Sequence, residues 1–134
     1  RRISSDKQPD PAFYTTSLDA ALASGEPFVL AFATPAFCTS AQCGPTLERV
    51  KAVAKRVPGF LFINVEPYKL EVVDGRLQPA LSADGQLQPV EAVDKFGLLS
   101  EPWVFVVDGA GIIRGSFEGV FAENELEAAI DLAK

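Results

Sequence analysis

The sequence predicts an α/β domain built on a mixed sheet, and three observations carry that prediction. Short apolar runs recur at Phe28–Phe32, Phe60–Val65, Trp103–Val107 and Ile112–Phe117. They are too short for helices and rich in β-branched and aromatic residues, as buried strands are. Between the first two lies a helical pattern, Thr46 to Val57, so the order strand–helix–strand implies a right-handed parallel crossover. The last two runs are joined by Asp108-Gly109-Ala110-Gly111, a link short enough for an antiparallel hairpin. Parallel and antiparallel pairings together make the sheet mixed.

Taken in order, residues 1–12 (RRISSDKQPDPA) are polar and carry two prolines, which reads as a linker or flexible arm. Residues 13–134 form the domain. Ser17 can cap a short helix, Leu18 to Ser24, that Gly25 ends. Phe28–Phe32 is apolar on both faces and bounded by Pro27 and Pro35, which suits a central strand covered on both sides. In the long helix Leu47, Val50, Ala54 and Val57 share one face, while Glu48, Arg49, Lys51 and Lys55 fall mostly elsewhere. Pro58-Gly59 stops it. Residues 66–89 break the rhythm with an imperfect echo, Asp74-Gly75-Arg76-Leu77-Gln78-Pro79 and Asp84-Gly85-Gln86-Leu87-Gln88-Pro89, read as an inserted loop with one hairpin. A short helix, Val90 to Phe96, ends at Gly97. The closing helix runs from about Glu123 to Ala133, with Leu126, Ala129, Ile130 and Ala133 inward and Glu123 and Glu125 at its positive end.

Composition narrows the chemistry. At 134 residues with ten Phe, the chain is large enough to bury about two-thirds of its unfolded surface without a cross-link. Net charge is −6, with no basic stripe, which argues against nucleic acid and anionic membranes as partners. The absence of histidine excludes Ser-His and Cys-His catalysis and any histidine metal site, and two cysteines alone make a weak zinc site, so no metal is expected. No stretch approaches the roughly 18 apolar residues of a membrane span. The chain contains no methionine and begins Arg1-Arg2. Both features suit a segment downstream of a removed signal or an anchor, and hence an exported, oxidising location.

The two cysteines, Cys38 and Cys43, fall between the first strand and the long helix. A helix N-terminus stabilises an anion through its unpaired N–H groups and dipole. A thiol there ionises more readily, and the thiolate is the nucleophile of disulfide exchange. The pair is therefore read as a working dithiol/disulfide couple. An inert disulfide is the alternative, although closing so short a loop yields only about 2 kcal/mol. Cys38, at the loop end, is the expected attacking sulfur and Cys43 the resolving one. On a continuous helix two side chains five residues apart point about 140° away from each other. Pairing thus needs the first turn unwound. Thr39-Ser40-Ala41-Gln42 can act as a capping box and start the helix early. Pro45 prefers the first turn and favours a start near Gly44, leaving both cysteines in or beside the loop.

This order of elements resembles the thioredoxin fold, from about residue 13 to 133 and interrupted by the 66–89 segment. Phe32-Ala33-Thr34 with Phe37 before Cys38 is similar to the family's Phe-x-Ala-x-Trp-Cys lead-in. Ser100-Glu101-Pro102-Trp103-Val104-Phe105 resembles its proline-led third strand. The nearest style is the cell-envelope, cytochrome-maturation type. The resemblance implies a central mixed sheet of four to five strands flanked by helices, and a cis-proline at Pro102 facing the cysteines. It also implies thiol–disulfide oxidoreductase activity on protein thiols or disulfides, with an electron donor and no cofactor, in a monomer held to a membrane only through a preceding anchor. Glu101, before the proline, takes the place that offers backbone hydrogen bonds to a substrate peptide. Its carboxylate near Cys38 would raise that thiol's pKa. Phe37 and Trp103 are placed to pack beside the site and grip an apolar substrate segment.

The chain departs from the family in having four residues between its cysteines and no acid in the central strand. Its Cys-Thr-x-x-x-Cys spacing is seen instead in some atypical peroxiredoxins, whose Thr-Pro-Gly-Cys-Thr is similar to Thr34-Pro35-Ala36-Phe37-Cys38-Thr39. That second reading is a thiol peroxidase, with Pro35 where the family has its threonine and Pro102-Trp103 where it has an arginine. A third is a thioredoxin-fold binding module whose site has lapsed and whose 66–89 insertion engages a protein.

Overall fold

A computed structural model describes residues 4–38, 40–98 and 100–134. A four-stranded mixed sheet lies between two layers of helices. Strand β1 (Phe28–Phe32) pairs in parallel with β2 (Leu61–Val65) and antiparallel with β5 (Trp103–Val107), which pairs antiparallel with β6 (Ile113–Glu118). The order across the sheet is β2-β1-β5-β6. Every residue of β1 is buried, as its unbroken apolar run requires.

Period-two alternation sorts the strands into two cores. Val29 and Ala31, with Val104 and Val106, meet Leu47, Val50 and Val53 of helix α2 (Cys43–Arg56) and Leu126, Ala129 and Ile130 of helix α4 (Glu123–Ala133). Phe28, Leu30 and Phe32, with Phe105 and Val107, meet Ala21 of α1 (Leu18–Ser24) and Val93 of α3 (Glu91–Phe96). Ser17 caps α1 by accepting from the Ala20 amide at 3.1 Å, and Gly25 closes it at φ 72°. The first core contains the buried Cys43 and the second does not.

The 66–89 insertion folds as a separate hairpin of β3 (Leu70–Val73) and β4 (Arg76–Pro79). Its turn is Asp74-Gly75, both with positive φ (52° and 77°), the tight turn an Asp-Gly pair favours. The second half of the echo does not repeat the hairpin. Ser82 and Gln86 close a turn, and Pro89 bridges back to Tyr68.

Two expectations are corrected. Within residues 4–12 the chain is no flexible arm, since Ser4, Ser5 and Asp6 are buried. Asp6 accepts from Lys51 Nζ at 2.7 Å, the Tyr14 hydroxyl lies within hydrogen-bond distance of Ser4 Oγ at 2.8 Å, and the Ser5 amide donates to Glu66 at 2.5 Å. A 3₁₀ turn, Pro11–Tyr14, then lays Phe13 on Phe62 with ring centroids 5.6 Å apart. Lys51, assigned to the polar side of α2, is consequently buried. Burial pulls its pKa down, but hydrogen bonds to Asp6 and Glu48 outweigh that and hold it above the usual lysine value. Arg1-Arg2 lies outside the described residues.

Candidate active site

The chain leaves β1 with the Ala33 amide still donating to Val65 of β2, so the sheet fixes where the loop begins. Thr34, fully buried, starts a turn closed by the Phe37 amide on its carbonyl at 3.1 Å. Pro35 lies inside that turn, where its fixed φ is tolerated. Cys38 follows, half-buried, and is bonded to Cys43 with the Cα atoms 6.0 Å apart.

How the two sulfurs meet is local. Helix α2 begins at Cys43, close to the start that Pro45 favours, and Gln42 supplies no side-chain cap. The Gln42 amide faces Ser40 Oγ at 3.4 Å, and the capping box expected from Thr39 lies outside the described residues. Ala41 adopts a left-handed φ of 61°, a conformation costing a non-glycine residue about 1–2 kcal/mol. That residue turns the chain so that Cys38 and Cys43 face each other rather than diverge. Cys43 itself is sealed in the first core.

The other wall is the turn into β5. The Glu101–Pro102 peptide bond is cis, and both residues are buried. Three hydrogen bonds seat this turn against the cysteine loop and helix. Ser40 Oγ donates to the Glu101 carbonyl at 2.9 Å, and the same oxygen lies 3.3 Å from Cys38 Sγ. On the other side the Gly119 amide donates to the Pro102 carbonyl at 3.0 Å. The Gly119 carbonyl accepts from Thr46 Oγ1 in the first turn of α2 at 2.8 Å. Gly119, at φ 74°, has the left-handed backbone this close approach needs.

Of the expected site residues, Cys38, Cys43, Glu101 and Pro102 converge here. Phe37 is half-buried in the turn before Cys38. Trp103 does not join them. It lies on the far face of the sheet, stacked on Phe105 at 5.6 Å in the second core, because strand parity opposes it to Val104. The Glu101 side chain is anchored on the side of the insertion. Its Oε2 accepts from the Tyr68 hydroxyl at 2.7 Å, tying the turn to the base of the insertion.

Three residues of the site's surroundings were not anticipated. Ser40 links both walls. Ser5 Oγ accepts from the Ala36 amide at 3.2 Å and lies 3.2 Å from Thr34 Oγ1, so the N-terminal segment buttresses the loop from behind. Glu66, one residue beyond β2, holds Ser5 in turn. Burial raises its pKa above the usual carboxylate value, partly opposed by hydrogen bonds from Thr34 and Ser5. The central strand carries no acid, but a carboxyl is placed behind the loop from the neighbouring strand. Among the described residues no cluster of His, Cys, Asp or Glu is arranged to hold a metal ion, and no helix is long and apolar enough to cross a membrane.

No family model and no curated protein matches the chain. Solved structures do. Thioredoxin of Fasciola hepatica superposes with a TM-score of 0.58 at 22% identity, over 87% of this chain and 91% of the other. The exposed lipoprotein thioredoxin of Streptococcus pneumoniae gives 0.58 at 15% identity, over 83% and 89%. A thio-disulfide isomerase of Thermus thermophilus gives 0.56 at 24% identity, over 81% and 78%. The chain has the thioredoxin-like fold, with a Cys38–Cys43 disulfide at the junction of its first strand and long helix.

Proposed function

We propose that this protein is a thiol–disulfide oxidoreductase whose working couple is Cys38 and Cys43. The observation that carries the reading is the Ser40 hydroxyl, which touches Cys38 Sγ and the carbonyl before the cis-proline at once. The disulfide therefore lies against a buried turn, with one sulfur reachable from solvent and the other sealed. A thiolate at Cys38 is favoured by the dipole of α2. It attacks one sulfur of a substrate disulfide, that S–S bond breaks, and the departing sulfur takes a proton. Cys43 then loses its proton and attacks Cys38 Sγ, which releases the second substrate thiol and restores the internal disulfide. Two electrons have passed to the substrate, and the reverse sequence oxidises a dithiol. Glu101 and Pro102 are the residues a bound substrate segment would meet. Protein thiols and disulfides are the proposed substrates of a monomeric enzyme. An oxidising, extracytoplasmic location is proposed too, supported by the disulfide and the likeness to an exposed lipoprotein thioredoxin.

Reduction of insulin by dithiothreitol tests the reading. Catalysis by the wild type, its loss in Cys38→Ser, and a trapped mixed disulfide in Cys43→Ser are the expected results. Consumption of peroxide without insulin reduction would move the assignment to a thiol peroxidase. Inactivity in both assays would reduce the protein to a binding module on this fold.

A further inference from the structure

Among the described residues Ser40 Oγ has three polar neighbours: Cys38 Sγ at 3.3 Å, the Glu101 carbonyl at 2.9 Å and the Gln42 amide at 3.4 Å. A hydroxyl carries one proton to donate. In the disulfide state the sulfur is a poor, uncharged acceptor, and the proton goes to the carbonyl, as the 2.9 Å contact records. Once the disulfide is reduced and Cys38 ionises, an anion lies within reach of that same proton. Hydrogen bonds to charged acceptors are roughly twice as strong as neutral ones, so the thiolate outcompetes the carbonyl.

We propose that Ser40 is a redox-operated positioning residue, its hydroxyl proton held by the Glu101 carbonyl in the disulfide state and by the Cys38 thiolate in the dithiol state. Because only one acceptor is served at a time, the state of the sulfurs sets how firmly the cysteine loop grips the turn carrying Pro102. In the oxidised protein loop and turn are clasped. In the reduced protein the clasp is spent on the nucleophile, and the turn's hold on the loop relaxes. The inference rests on one part of the proposed function, that the Cys38–Cys43 bond is reducible, and not on turnover of a protein substrate. The step that drives it is ordinary exchange with a dithiol, which is oxidised to its own disulfide while the Cys38–Cys43 bond is reduced. The Cys38 proton is then lost to solvent.

Other ionisable groups border the loop and leave the argument intact. Glu101 accepts from Tyr68, Glu118 from Ser100 Oγ, and Glu66 from the Ser5 amide. Ser40→Ala alters none of these side chains, and Ser40 is exposed, so folding is not at stake.

The experiment compares wild type, Ser40→Ala and Ser40→Thr, each reduced with dithiothreitol and freed of it anaerobically. The rate of carbamidomethylation at Cys38 is followed against pH. Backbone amide chemical shifts of Glu101 and Gly119 are recorded in both redox states. Ser40→Ala is expected to raise the Cys38 pKa by about one unit, about ten-fold less thiolate on the acid side. Ser40→Thr, which keeps the hydroxyl, stays close to wild type. The redox-dependent shifts at Glu101 and Gly119 shrink in the alanine variant alone. A Ser40→Ala titration superimposable on wild type, or undiminished redox shifts at both amides, would overturn the proposal. Neither readout needs turnover, so a silent insulin assay with a shifted titration would sink the functional reading and leave this one standing.

Discussion

Replacing Lys51 by Met should unseat the N-terminal segment and, through it, the cysteine loop. Lys51 Nζ donates to Asp6 Oδ2 at 2.7 Å and to the Gln8 carbonyl at 3.0 Å, with side-chain exposures of 10% for Lys51 and 8% for Asp6. Removing one partner of a buried pair costs about 3–5 kcal/mol, chiefly because the other charge is stranded. Asp6 keeps the Gln8 amide at 3.0 Å, and Glu48, the second partner, is largely solvated. Both facts favour the lower end, about 3 kcal/mol. Lys51's raised pKa means its contribution is fully present below the unfolded lysine value and is lost as pH rises through the folded one. A urea titration at pH 7 therefore measures all of it. Asp6→Asn, which removes the charge and keeps the shape, should cost less, and the double variant less than the sum of the two. Since Ser5 Oγ accepts from the Ala36 amide, the same substitution should change the alkylation rate of Cys38 and speed tryptic cleavage after the exposed Lys7. A loss below about 0.5 kcal/mol, the scale of an ordinary surface change, would refute the part given to the buried Lys51–Asp6 pair.

Further outcomes follow from the same geometry. Gly119→Ala should cost about 1–2 kcal/mol through its positive φ. Adding Gln42→Ala should not restore it, although a Cβ at 119 would come within 2.7 Å of Gln42 Oε1, because that exposed side chain can move aside. Denaturant midpoints of the single and double variants check this. Glu66→Gln tests the raised carboxyl. A folded pKa above the unfolded one makes ionisation cost stability as pH climbs from the unfolded value through the folded one. The glutamine variant, which still accepts from Ser5, should match wild type near pH 4 and gain relative stability by pH 7. Thermal unfolding across that range reads the difference. Ala41→Gly relieves a left-handed residue and should stabilise the oxidised protein by up to about 1 kcal/mol, seen in its urea midpoint.

How far the molecule could be read in advance depended on whether a residue's environment has a periodic signature. The unbroken run Phe28–Phe32 announced a strand covered on both faces, and Leu47, Val50 and Val57 announced the helix behind the cysteines. Alternation along β5 also held the answer for Trp103, since it shares parity with Phe105 and Val107 and opposes Val104. Its closeness in sequence to Pro102 suggested the wrong side. The N-terminal segment carried no such signal. Ser4, Ser5 and Asp6 look like solvated linker, and they are buried only because Tyr14, Lys51 and Glu66 reach them from distant parts of the chain. Ser40 was legible only as a residue inside a capping-box pattern, because its partner, the Glu101 carbonyl, lies 61 residues away.

The reduction potential of the Cys38–Cys43 couple, measured by equilibration with dithiothreitol or glutathione buffers, tests the central claim most directly. A working exchange couple should fall in the range of known oxidoreductases, about −120 to −270 mV. A value below about −300 mV would mark an inert structural bond and contradict the account.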